Sequence, residues 1–114
     1  MRILILDDDP PRSEPAELLA RAAPGADVRR APGTGAARAV DDLAPDVVVL
    51  TSPTAEPLRA LRARRPELPI LVLCADDGAD LAVEAMKAGA SDYVVLRGEA
   101  SAIELADALR RLGP

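Results

Sequence analysis

Between Pro45-Asp46 and Ser52-Pro53 the chain carries Val47-Val48-Val49-Leu50, four apolar residues in a row, three of them β-branched. Strict alternation would mark a half-buried strand, and a 3.6-residue rhythm would mark a helix; this run shows neither. It reads as a strand covered on both faces, the kind that occupies the middle of a parallel sheet. In open α/β sheets the chemistry collects at the carboxyl ends of the central strands. Here that end carries Thr51, Ser52 and Pro53, a hydroxyl pair and a turn breaker without charge.

The rest of the chain supplies the partners such a strand requires. Arg2 to Leu6 is an apolar run that ends in Asp7-Asp8-Asp9-Pro10-Pro11. Ser13 caps a helix to about Ala22, with Pro15 tolerated in the first turn. Asp27 to Ala31 is an edge strand, since Arg29 and Arg30 interrupt its apolar character. A helix begins at Thr34 and runs to about Leu43 with Ala37 and Val40 on one face, and another covers Glu56 to Arg65 with Leu58 and Leu61 inward. Ile70-Leu71-Val72-Leu73 is a second fully apolar strand, ending at Cys74-Ala75. Asp80 to Ala88 is a helix stopped by Gly89, and Tyr93 to Leu96 a last strand. Ser101 and Glu104 have the spacing of a capping box, and the final helix shows Ala102, Leu105, Ala106, Leu109 and Leu112 at helical intervals. Five strands alternate with five helices. Right-handed crossovers then give a doubly wound, three-layer α/β/α sandwich around a five-stranded parallel sheet.

A chain of 114 residues is expected to form a single domain over 1–114, burying roughly 65% of its unfolded surface. Tyr93 is its one aromatic, so the core is aliphatic. The net charge of −5, with no basic cluster flanked by aromatics, argues against nucleic-acid binding. Arg62, Arg64 and Arg65 read as a solvated helix end favoured by the macrodipole. One cysteine, Cys74, excludes an internal disulfide and suits a reducing compartment. No apolar run approaches membrane-spanning length, and Ile3 to Leu6 running into three aspartates is not a signal-peptide pattern. A cytoplasmic location without membrane contact is expected. Without histidine, His-based zinc sites and Ser-His or Cys-His nucleophile pairs are impossible.

Taken together, Arg2-Ile3-Leu4-Ile5-Leu6-Asp7-Asp8-Asp9-Pro10 and Gly89-Ala90-Ser91-Asp92-Tyr93-Val94-Val95 resemble the response-regulator receiver domain, the CheY-like module of two-component signalling. Pro45 to Leu50 and Pro69 to Leu73 follow the same family's strand patterns, and the resemblance covers the whole length. It implies a flavodoxin-like strand order 2-1-3-4-5. It also implies a phosphorelay role, in which a histidine kinase passes a phosphoryl group to an aspartate after the third strand. In that chemistry Mg²⁺ is held by the aspartate and by an acidic pair after the first strand, while a Ser/Thr and a lysine bind the phosphoryl oxygens.

Carried onto this chain, the acidic pair is Asp7 and Asp8, the phosphoacceptor position is Thr51, the Ser/Thr position Cys74 and the lysine position Leu96. A threonine hydroxyl is a far weaker nucleophile than a carboxylate, and no base is placed to activate it. Its loss of charge also weakens the metal site. Cys74 offers only a weak S–H donor, and Leu96 removes the cation that would stabilise the transferring group. Arg97, next to it, points to the other face of a strand. The segment from Thr51 to Cys74 is several residues shorter than the family's, at the loop that supplies a carbonyl to the metal. The expectation is a pseudo-receiver, not an enzyme, with no required cofactor and at most weak Mg²⁺ binding.

Such a module acts through protein contacts. In the family these gather on the face of the fourth helix, fifth strand and fifth helix, where Met86, Lys87, Tyr93, Arg97 and Glu99 are the candidates. The implied partners are a sensor histidine kinase or other signalling protein, an attached output domain, or a second copy in a homodimer. Tyr93 matches the family's switch aromatic, and with Cys74 in the partner position it reads as a fixed interface or packing residue. Two other readings compete. A displaced acidic acceptor would have to be Asp9 or Asp46, and Asp46 starts its strand at the wrong end. Gly33-Thr34-Gly35 precedes a helix as in small nucleotide- or ligand-binding α/β domains, but it follows the second strand, where that fingerprint belongs after the first. Asp76, Asp77 and Asp80 read as a solvated loop and helix cap.

Overall fold

The computed structural model describes residues 1–7, 13–32, 36–51, 55–74, 79–95 and 100–112. Its elements are β1 (Arg2–Asp7), α1 (Ser13–Ala22), β2 (Asp27–Pro32), α2 (Ala36–Leu43), β3 (Val47–Leu50), α3 (Ala55–Arg64), β4 (Ile70–Cys74), α4 (Ala79–Ala88), β5 (Asp92–Val95) and α5 (Ala100–Leu112). All five strands join one sheet in the order β2-β1-β3-β4-β5, every pair parallel. This is the flavodoxin-like arrangement expected from the family resemblance, with the arginine-interrupted β2 on one edge. Thr34 lies outside the described residues, and α2 is described from Ala36.

Strand alternation divides the apolar residues between two cores. Leu4, Leu6, Val48, Leu50, Ile70 and Val72 meet Val40, Leu58, Leu61 and Ala85 from α2, α3 and α4. Ile3, Ile5, Val47, Val49, Leu71 and Leu73 meet Leu18 and Leu19 of α1 and Leu105, Ala108 and Leu109 of α5. β1, β3 and β4 are therefore sealed on both sides, which is why their sequences do not alternate with polar residues. Each fully buried Val, Ile or Leu contributes roughly 1.5–3 kcal/mol, and an aliphatic chain needs no aromatic to reach that total.

Two expectations are corrected. Arg62 is not part of a solvated helix end: its guanidinium is half-buried and donates to the carbonyls of Gly89 and Leu68. A bare guanidinium there satisfies carbonyls that a helix end leaves without partners. Arg64 and Arg65 are on the surface, where both bond Asp41 of α2. Ser101 does not precede its helix as a cap. α5 is already under way at Ala100, and Ser101 is 1% exposed within the first turn. A small residue suits that position because the turn is pressed onto the sheet.

Helix α2 ends on Ala44, which has φ of 45° and donates its N–H to the Val40 carbonyl at 2.9 Å. This is the left-handed closing position that glycine normally fills, and a Cβ is strained there. Ala44→Gly is expected to stabilise the protein by roughly 0.5–1 kcal/mol after the extra freedom of the unfolded glycine is subtracted. A thermal midpoint raised by a few degrees would check this, and a lowered midpoint would contradict it.

The hydrogen bond from Arg64, then that from Arg65, holds the Asp41 carboxyl below the usual carboxylate range. A depressed folded pKa means stabilisation that is present at neutral pH and lost as pH falls through the folded value. Urea midpoints of the wild type and Asp41→Asn should therefore differ at pH 7 and converge below about pH 4, with the gap narrowed by salt. Parallel profiles across that range would show that the cluster contributes nothing.

Candidate functional site

The parallel register brings the carboxyl ends of four strands to one edge of the molecule. Leu6 of β1 is paired with Leu50 of β3, and Leu50 with Val72 of β4. One residue further on each chain stand Asp7 and Thr51, and two residues beyond Val72 stands Cys74, itself paired with Val95 at the end of β5. The backbone thus gathers Asp7, Thr51 and Cys74 where the sequence reading expected them. Asp8, Asp9 and Leu96 lie outside the described residues.

Thr51 is half-buried and anchored across the sheet. Its backbone N–H and its hydroxyl both donate to the Leu6 carbonyl, each at 3.2 Å. A peptide carbonyl orients a hydroxyl but is far too weak a base to activate it. The β-branched side chain continues the strand preference of Val47 to Val49, and the hydroxyl satisfies a carbonyl at the point where the ladder stops. At this position the threonine joins two strand ends, a task an aspartate, which only accepts, would not perform in the same way.

Asp46 stands at the opposite end of β3. Its carboxylate accepts the Arg2 backbone N–H at 2.7 Å, and its own N–H donates to the Arg2 carbonyl at 2.8 Å. It closes the amino-terminal edge of the sheet. The length of β3 separates it from Thr51, as its place in the sequence indicated.

At the other edge, Tyr93 is in register with Val72, so its side chain leaves the sheet on the face covered by α4. It is 42% exposed, while its neighbour Val94 is buried against α5. Met86 and Lys87 in the last turn of α4 are also exposed, and Val83 on the same helix is 54% exposed. Below Tyr93, Asp92 accepts the Tyr93 N–H at 2.8 Å and pairs with Arg111 of α5 at 2.7 Å, which ties β5 to the final helix. Arg97 and Glu99 lie outside the described residues, as do Gly33 to Gly35 and Asp76 and Asp77.

Sequence reasoning missed the connection at the amino-terminal edge between Arg62, Gly89 and Ser91. The Ser91 hydroxyl accepts the Ile70 N–H at 3.1 Å, and the Ser91 N–H donates to the Ile70 carbonyl at 2.8 Å. Nothing in the run Arg62-Ala63-Arg64-Arg65 distinguishes the first arginine from the others. A signal was available at Gly89, whose position after a helix invites a left-handed turn with exposed carbonyls.

No protein-family model matches the chain. A 46-residue stretch is 48% identical to the response regulator protein FleR of Pseudomonas aeruginosa; it covers 40% of this chain and 10% of FleR. A two-component response regulator of the LuxR family from Aurantimonas sp. SI85-9A1 is 31% identical, with 96% of this chain and 82% of that one aligned and a TM-score of 0.76. NtrX from Brucella abortus superposes with a TM-score of 0.82 at 26% identity, over 97% of this chain and 26% of NtrX. The chain is thus similar to about a quarter of NtrX and a tenth of FleR. The sheet order, the gathering of strand ends and these likenesses identify the chain as a member of the response-regulator receiver domains, the CheY-like modules of two-component signalling. Among the described residues, no helix is long and apolar enough to cross a membrane.

Replacing Thr51 by valine keeps the shape and the backbone bond to Leu6 while removing the hydroxyl. The expected loss is about 1 kcal/mol in urea unfolding, with the slope unchanged. A neutral or stabilising result would show that the cross-strand hydroxyl has no structural role.

Proposed function

We propose that this domain, spanning 1–114, is a pseudo-receiver: a non-enzymatic module of two-component or phosphorelay signalling that works through protein contacts without aspartyl phosphorylation. The observation that carries the reading is Thr51 at the phosphoacceptor position, with its hydroxyl directed to the Leu6 carbonyl. A threonine here has no carboxylate to form an acyl phosphate and contributes no anionic ligand to a metal. Leu96 at the lysine position and Cys74 at the hydroxyl position extend the same defect to the groups that would bind the phosphoryl oxygens.

Asp7 and Asp8 fit the hard-oxygen chemistry of Mg²⁺, but two carboxylates without a third hold it weakly. When bound, Mg²⁺ would supply neutralisation of phosphoryl charge, which has no acceptor here to act on. Regulation then comes from partner binding, dimerisation or an attached output domain, in a cytoplasmic setting. The exposed Met86, Lys87 and Tyr93, with Arg97 and Glu99, form the proposed contact face. A sensor histidine kinase or another signalling protein is the proposed partner. The reading with Asp46 as a displaced acceptor has no support from its position beside Arg2.

The test is to titrate Mg²⁺ and beryllofluoride into the labelled domain and record amide spectra. The resonances around Asp8 and Thr51 are expected to show no saturable shift with beryllofluoride. A saturable response at those residues that spreads to Tyr93 would mark a working phosphoryl receiver.

A further inference from the structure

The Arg62 side chain gathers carbonyls from three segments. Nε and Nη2 donate to the Gly89 carbonyl at 2.8 and 2.6 Å, and Nη1 donates to the Pro66 and Leu68 carbonyls at 2.7 and 2.8 Å. Longer bonds reach the Arg65 carbonyl at 3.4 Å and the Ser91 hydroxyl at 3.3 Å. One planar fork thereby joins the end of α3, the turn into β4, the end of α4 and the turn into β5. Carbonyls at helix carboxyl ends carry the negative end of the dipole, and a guanidinium binds them with charge-assisted bonds. Among the described residues no carboxylate pairs with this arginine, so its charge is directed at backbone carbonyls and one hydroxyl.

Gly89 is shaped to receive it. Its φ of +119° turns the chain out of α4, and a Cβ built there would lie 2.9 Å from Arg62 Cγ and 3.2 Å from Nε. The arginine stem therefore lies against a backbone that carries no side chain. Met86 and Lys87 precede Gly89 by three and two residues, and Tyr93 follows it by four.

We propose that Arg62 is a pin that fixes the carboxyl end of α4 against the start of β5, and so positions the exposed Met86, Lys87 and Tyr93 from the edge of the fold opposite Thr51. The pin stands on its own geometry; only its importance for partner contacts rests on the pseudo-receiver reading. A domain without a phosphoryl group to reset α4 needs its contact face held by other means, and this fork supplies a fixed point about which α4 would have to pivot.

Amide spectra and hydrogen exchange of the intact chain test the pin in Arg62→Gln and Arg62→Lys. Exchange at Gly89, Ala90 and Ser91 should accelerate about tenfold, with shift changes reaching Met86, Lys87 and Tyr93 and the amides of α1 and β2 unmoved. Lysine keeps the charge but not the fork, so it should lose most of the effect too. Gly89→Ala should reproduce the pattern from the other side, and should add less in an Arg62→Ala background, where the Cγ and Nε that its Cβ would displace are absent. Changes confined to residues 62–69, a uniform acceleration across the whole sheet, or additive effects of the two substitutions would each overturn the pin. These readouts are independent of beryllofluoride: a response to that mimic would end the pseudo-receiver reading and leave the pin standing.

Discussion

The burial of β1, β3 and β4 on both faces is the constraint on which the rest of the molecule depends. A parallel strand cannot turn directly into its neighbour, so each connection crosses the sheet as a helix and adds to one of two apolar layers. Helices α2, α3 and α4 cover one face and α1 and α5 the other. With every strand running the same way, the carboxyl ends of β1, β3, β4 and β5 arrive at one edge and the helix-to-strand turns at the opposite one. The first edge gathers Asp7, Thr51 and Cys74; the second holds Asp46 against Arg2, and Gly89 and Ser91 against Arg62.

The doubly wound parallel sheet shared with receiver domains is present here, and in the proposed reading the departures are side chains at strand ends and the short segment between Thr51 and Cys74. Thr51 has a structural task at its strand end. Its hydroxyl donates to the Leu6 carbonyl and holds the end of β3 to the end of β1 without a cation. The residue at this strand end has little bearing on the fold, because the energy of the fold lies in the aliphatic layers beneath. In the proposed reading function lies on the surface, where Tyr93, Met86 and Lys87 are exposed and the end of α4 meets Arg62.

The sheet was legible in the sequence because its signals are strong and local. The unbroken runs at Val47, Ile3 and Ile70 admit little but doubly covered strands, and the arginines of β2 mark an edge. Thr51 was legible as a position because the strand before it has a clear end. The side-chain contacts were less accessible. Arg62, Arg64 and Arg65 look alike in the chain, yet one binds the carbonyls of Gly89, Pro66 and Leu68 while two bond Asp41, since helical phase turns them to different neighbours. Ser101 and Glu104 have capping-box spacing, but the helix starts earlier and the serine is buried, because tertiary packing outweighed the local motif. The positive φ of Ala44 carried no signal, since glycine or asparagine, not alanine, is the residue that marks such a helix end.

The central claim is that the edge occupied by Thr51 accepts no phosphoryl group. Its most direct test is the intact mass of the protein after incubation with Mg²⁺ and a small-molecule phosphodonor such as acetyl phosphate, beside a phosphorylatable receiver treated identically. The mass of this domain should stay unchanged while the control gains about 80 Da, one phosphoryl group. The same gain here, removed by hydroxylamine as an acyl phosphate would be, would contradict it.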